Sequence, residues 1–190
     1  VLMEQWGLTD KSKASFSSLS GGQRQRLFVA LALVNDPELV FLDEMTTGLD
    51  PAARRVAWSL IRSIRDRGTT VVLVTHFMDE AEQLCDRLVV MDQGRIVAEG
   101  SPRSLIEEHS HREVLELRFP VGTQEAALER LDSLAPRQET LADRVLLYVD
   151  DADRALASVS ARGLHPESAV VRRSTLEDVF LRLTGRSLVE

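Results

Sequence analysis

The spacing of hydrophobic and polar residues changes period several times along this chain. Residues 22–34 read as a helix that ends before Asn35-Asp36-Pro37, because proline disfavours helical geometry in the residue preceding it. Residues 39–42 are continuously apolar, which predicts a short strand covered on both faces. Asp50 followed by Pro51 predicts an N-cap and a first helical position, opening a helix that runs to Arg67 and stops at Gly68. A second buried strand is predicted at 70–75. Strand, helix and strand at this spacing form a βαβ unit, so the strands should be parallel and finish on the same edge. A helix at 78–85, a strand at 87–91, a turn at 92–94 and a strand at 95–98 follow, the last pair reading as a hairpin.

From Gly100 to His111 the chain turns polar, and a short helix and a domain boundary are placed there. The pattern then restarts. Strands are predicted at 113–119, 144–149 and 169–173, and helices at 124–134 and 151–162, the second stopped by Gly163. Ser174-Thr175-Leu176-Glu177 reads as a capping box opening a last helix, with Leu176, Val179, Phe180 and Leu183 on one face until Gly185. If 137–141 is also a strand, the order is βαββαβ plus a helix, the order of a ferredoxin-like domain. The expected organisation is therefore α/β: a parallel sheet with helices in 1–106, then a small α+β domain in 112–190.

Composition narrows the classes. Hydrophobic residues make up 44% of the 190, ample for a core. The longest apolar run, 27–34, falls far short of the about 20 residues of a membrane-spanning helix. A lone Cys85 fits a reducing compartment, and a net charge of −7 argues against broad binding to a phosphate backbone. No nucleic-acid partner is expected.

Candidate chemistry gathers at strand ends and one helix start. In open α/β sheets ligands bind beyond the carboxyl ends of the strands, which places Asp43, Glu44, Thr75 and His76 at one crevice. A carboxylate at Asp43 can hold Mg²⁺, directly or through water, and Glu44 can accept hydrogen bonds from an attacking water. His76 supplies a donor near a terminal phosphate. Singly, such residues are more often helix caps, solvated carboxylates or structural histidines, and only their joint placement favours chemistry. Ser20 to Gln23 fits a capping box, which leaves Gly21-Gly22 unexplained. Glycines in a first turn cost about 1 kcal/mol each against alanine unless the backbone must approach something closely. Free amides at a positive helix end favour an anion, and phosphate is the natural candidate.

These residues resemble one family. Residues 19–26, LSGGQRQR, look like the signature motif of ABC ATPases, and 39–44, LVFLDE, like their Walker B strand. Residues 47–50, TGLD, resemble the D-loop, and Thr75-His76 the switch histidine. The match covers about 1–106, with the four motifs in the family's order. The resemblance implies a partial P-loop NTPase fold, two such domains sandwiching two ATP molecules with Mg²⁺, and a transmembrane permease as partner. Ser20, Gly21, Gly22 and Gln23 would act in trans. Asp43, Glu44 and His76 would act in cis as metal contact, catalytic base and phosphate sensor, and Asp50 would couple the two sites. The implied location is the inner face of the cell membrane, as a peripheral cytoplasmic subunit.

Two departures stand out. Met45 occupies a position where many relatives carry proline, which should alter only the approach to the D-loop. No G-x-x-x-x-G-K-[ST] occurs in the 190 residues, so the cradle and lysine that hold phosphates are missing and the chain resembles the C-terminal portion of an ABC subunit. The 190 residues alone are expected not to turn over ATP. Without the strand that precedes a phosphate loop, apolar faces on Val40, Leu42, Val72 and Val74 should be uncovered and should drive self-association. The tail resembles the extension of ABC subunits that power drug, antibiotic or polysaccharide export. Within it, Phe119, Tyr148 and Phe180 are expected to be core or interface, and His109 and His111 a solvated linker. The alternatives are a soluble ABC-type ATPase of DNA repair or translation, which usually carries coiled-coil insertions, basic tracts or tandem cassettes, and a nonenzymatic dimerisation or regulatory module.

Overall fold

The computed structural model describes residues 2–120 and 123–185, which divide into two compact units, Val1–Cys85 and Asp86–Glu190. In the first, helix α1 (Leu2–Gln5) leads through two 3₁₀ turns to α2 (Gly21–Ala32). Strand β1 (Leu39–Asp43) follows, then α3 (Pro51–Arg65), β2 (Thr70–Val74) and α4 (Met78–Leu84). β1 and β2 pair in parallel, Leu39 with Thr70 through Asp43 with Val74, as a βαβ unit requires. Asp50 opens α3 by accepting from the amides of Ala52 and Ala53, both at 2.9 Å, ahead of Pro51 at N1. Ala57, Ile61 and Ile64 recur at helical spacing and bury that face of α3 against Val40, Leu42, Val29, Leu33 and Trp6.

The sheet of this unit departs from the expectation of two covered faces. Val40 and Leu42 are buried, whereas Phe41 is 68% exposed, and Val72 and Val74 are exposed as well. With two strands and helices packed on one side, the other side has nothing to bury it among the described residues. The uncovered apolar positions are thus Leu39, Phe41, Val72 and Val74, with Val40 and Leu42 held in the core. Met45 joins that core at 5% exposure, a packing role beyond the one expected of it.

In the second unit β3 (Leu88–Asp92) and β4 (Arg95–Gly100) form the hairpin. Its loop residues Gln93 and Gly94 both have positive φ, the conformation of a two-residue type I′ turn. Helix α5 (Pro102–His109) leads to β5 (Glu113–Arg118), α6 (Gln124–Leu131), β6 (Arg137–Thr140), β7 (Val145–Val149), α7 (Ala152–Ala161), β8 (Ser168–Arg173) and α8 (Leu176–Thr184). The four tail strands lie in the order β6-β7-β5-β8, with every neighbouring pair antiparallel. That is the ferredoxin-like arrangement, and the conditional strand at 137–141 is present. One face packs Leu115, Leu117, Val145 and Leu147 against Leu131 of α6 and Val159 of α7.

The opposite face is polar at its centre. Arg172 of β8 donates to both carboxylate oxygens of Asp178 on α8, at 2.7 and 2.9 Å, and through Nε to Glu116 of β5 at 2.6 Å. The Tyr148 hydroxyl lies 3.1 Å from both Asp178 and Glu139 and can donate its single proton to either. Burial first, then the neighbouring carboxylates, push the Tyr148 phenol up and keep it neutral. The cap of α8 sits one residue later than expected. The amide and hydroxyl of Thr175 both donate to Asp178, while Glu177 is exposed. Asp178 is buried between sheet and helix, so the network fixes the helix start there.

His109 and His111 do not behave as a solvated linker. Both are partly buried; Arg182 of α8 donates to the His109 carbonyl at 2.7 Å, and His111 Nδ1 lies 3.4 Å from Asp150. Helix α5 packs on α8, with Leu105 at 1% exposure. A piece starting at residue 86 is therefore expected to unfold cooperatively at higher urea than one starting at 112, which forfeits those contacts. Equal midpoints would show that α5 contributes nothing to the tail.

Candidate nucleotide site

The eight site residues read from sequence lie in two places within the first unit. One is the start of α2. The capping box there is complete: Gln23 N–H donates to Ser20 Oγ at 3.3 Å, and Ser20 N–H donates to Gln23 Oε1 at 2.9 Å. Ser20, Gly21, Gly22 and Asp50, with Trp6 and Leu49, line one cavity of about 450 Å³. Asp50 Oδ1 is engaged in capping α3.

The two glycines can be tested against the needs of the fold itself. Neither Gly21 nor Gly22 has a positive φ. A Cβ on Gly21 would meet nothing within 4 Å, and one on Gly22 would make ordinary contact with Leu49 at 3.4 Å. Neither backbone conformation nor internal packing therefore demands glycine in this first turn, where it costs about 1 kcal/mol against alanine. A ligand that must reach the free amides of the helix end does supply a reason. The donors here fit a phosphate.

The second place is the carboxyl end of the parallel strands. Glu44 N–H donates to the Val74 carbonyl at 2.8 Å, closing the β1–β2 ladder, and Glu44 itself takes φ +45°. A non-glycine residue in that region is uncommon and strained by roughly 1–3 kcal/mol. The bend carries the Glu44 side chain to His76, with Nδ1···Oε1 at 3.2 Å, and Thr47 Oγ1 donates to the other carboxylate oxygen at 3.4 Å. Glu44 and His76 are both exposed, and Asp43 is exposed beside them at the end of β1. A single accessible carboxylate suits Mg²⁺, which keeps several waters and takes few protein ligands. Among the described residues, no group of three or more His, Cys, Asp or Glu side chains is arranged to hold a metal by itself.

Sequence reasoning missed the residues that brace this end. Trp58 Nε1 of α3 donates to Glu80 of α4 at 2.8 Å, and Glu80 is fully buried. Arg54 lies 4.1 Å over the Phe77 ring and 3.5 Å from Asp79. These contacts join the helix opened by Asp50 to the helix that follows His76. The signal available was an acid on the turn after His76, on the same helix face as Leu84.

Comparison with known proteins agrees with these observations. Residues 1–47 match the family model for the ABC transporter, and residues 124–185 match that for the C-terminal domain of the nodulation factor export protein NodI. The chain is 45% identical to the Nod factor export ATP-binding protein I of Burkholderia thailandensis, over 98% of its own length and 60% of the relative's. Over almost all of its length the chain is similar to the ATP-binding subunits of ABC transporters. It is 46% identical to the protein of the same name in Rhizobium etli, over 98% of itself and 58% of that relative, and 43% identical to the one in Mesorhizobium japonicum, over 100% and 54%. It thus spans between about half and three-fifths of the length of these relatives. An ATP-binding cassette of an ABC transporter, solved in its ADP conformation, matches with a TM-score of 0.52 and 26% identity over 57% of this chain and 42% of that one. A second structure of the same cassette gives a TM-score of 0.53. The ABC transporter model match contains the α2 start, Asp43 and Glu44, and stops before Asp50 and His76.

Proposed function

We propose that the whole protein is the ATP-hydrolysing subunit of an ABC exporter, of the class to which the Nod factor exporters belong. The observation that carries this reading is the Glu44–His76 contact at the carboxyl end of β1. It supports a division of labour in which Glu44 orients and deprotonates the attacking water and His76 faces the terminal phosphate. Asp43 is the Mg²⁺ contact, direct or through water, and the ion neutralises phosphate oxygens during transfer. Ser20, Gly21, Gly22 and Gln23 meet the nucleotide held by a second ATPase subunit, as the unexplained glycines and the first-turn amides left over by the capping box suggest. Asp50 couples the two sites from the D-loop, and the α3–α4 contacts through Trp58 and Glu80 pass its position toward His76.

The remaining partner is a transmembrane permease, with the subunit peripheral on the inner face of the membrane. No helix among the described residues is long and apolar enough to cross one. The tail of 112–190 is assigned as an accessory domain. The test is ATP hydrolysis: the whole protein is expected to turn over ATP with Mg²⁺, and residues 1–190 alone to show none, since they hold no phosphate-cradling loop. Hydrolysis by 1–190 that disappears with Glu44→Gln would show that these residues suffice. A whole protein without ATPase activity would refute the assignment.

A further inference from the structure

We infer that β8 is an interface through which two copies of this chain join their ferredoxin-like sheets edge to edge. Among the described residues β8 pairs only with β5, so every second residue turns its N–H and C=O outward, unpaired. The two edges of the sheet differ in how they are guarded. β6, at the far edge, reads Arg-Gln-Glu-Thr, polar throughout. β8 presents Ala169, Val170 and Val171, all exposed, with Val170 at 50% and Val171 at 46%. An edge with apolar side chains on both faces of the pleat and no charge at its centre is a template for another strand.

The charges at its ends choose a second copy and a register. Glu167 precedes the strand and stays beside β5, its N–H donating to the Arg118 carbonyl at 2.8 Å. Arg172 and Arg173 close the other end. Antiparallel pairing about a two-fold axis at Val170 sets Val170 against its own copy, Ala169 against Val171 and Glu167 against Arg173, twice in the dimer. Arg172 adds no repulsion, since Glu116 and Asp178 already neutralise it. Moving the axis to Arg173 would set the exposed Arg173 side chains of the two copies against each other, which is unfavourable. This association needs no nucleotide and is distinct from the sandwich proposed above.

Disulfide trapping in the full 190-residue chain without nucleotide tests it. Under mild oxidation Val170→Cys should link into dimers at least about tenfold faster than Gln138→Cys on the β6 edge or the parent chain with Cys85 alone, because residues facing each other across antiparallel strands lie within disulfide reach. A mixture of Ala169→Cys and Val171→Cys chains should link across the pair, which covers the case of a misfolded Val170→Cys chain. In the Val170→Cys background, Arg173→Glu or Glu167→Arg should each slow linking roughly tenfold, and the two together should restore it. Equal linking at 138 and 170, as the exposed sheet of the first unit alone would cause, overturns the proposal. So do single reversals without effect, or a double reversal without rescue.

Discussion

Glu44→Gln in the whole protein is expected to lower ATP turnover by about two to four orders of magnitude, the range a positioned general base contributes. The substitution keeps the shape and one hydrogen-bonding oxygen of the side chain, so nucleotide binding should survive and nucleotide-bound dimers should accumulate. Position is the reason for expecting so large an effect from this single residue. Its left-handed backbone delivers the carboxylate to His76, and the Thr47 hydroxyl holds the remaining oxygen. Thr47→Ala leaves the carboxylate in place with one restraint fewer, so its effect on turnover should be much smaller than that of Glu44→Gln. Turnover by Glu44→Gln near the parental rate would remove Glu44 from the role of base. Loss of turnover together with loss of nucleotide binding would point instead to a collapsed site.

What the sequence showed in advance was whatever is settled within a few residues. The capping box of Ser20 and Gln23 and the Asp50-Pro51 helix start close hydrogen bonds over two or three positions, and both are present as read. The parallel strands follow from the length of their connection. The start of α8 was misplaced because Ser174-Thr175-Leu176-Glu177-Asp178 contains two overlapping capping patterns, and no local rule chooses between them. Arg172, on the strand before, decides by drawing Asp178 inward. Coverage of β1 was misjudged for a related reason. An apolar run shows what a strand can bury, and Phe41 is bare because nothing among the described residues lies over it.

The candidate site divides the same way. Residue types and motif order were legible, but the contacts that give them geometry span long stretches of chain. His76 meets Glu44 across 32 positions, and Glu80 meets Trp58 across 22. Neither the strain at Glu44 nor the buried acid behind His76 leaves a mark in hydrophobic periodicity. Both arise from two helices and two strands converging on one end of the sheet.

Asp178→Ala is expected to destabilise the second unit by about 3–5 kcal/mol, the range for removing one partner of a buried ion pair. The carboxylate is 2% exposed and accepts from Arg172 twice and from the amide and hydroxyl of Thr175. Its loss leaves the Arg172 guanidinium with Glu116 as its remaining ion-pair partner and frees the start of α8 from the sheet. Burial alone would raise the Asp178 carboxyl, but the bonds from Arg172 and the Thr175 amide outweigh it and hold the group below the usual carboxylate range. A depressed folded value means that the unfolded chain binds the proton first. The contribution is therefore complete above the unfolded value near about pH 4 and is lost as pH falls through the folded one. Both tryptophans lie in the first unit, so in a piece comprising 86–190 the single tyrosine, Tyr148, reports unfolding by fluorescence against the network itself. Urea midpoints at pH 7 and pH 3 should differ less in Asp178→Asn than in the parent. Replacing the pair together, Arg172→Met with Asp178→Leu, should cost less than Asp178→Ala, since Glu116, the other partner of Arg172, keeps Arg144 at 3.2 Å and no charge is stranded. An Asp178→Ala piece with an unchanged midpoint, or an Asp178→Asn piece with the parental acid response, would mean that α8 is held by its apolar face alone.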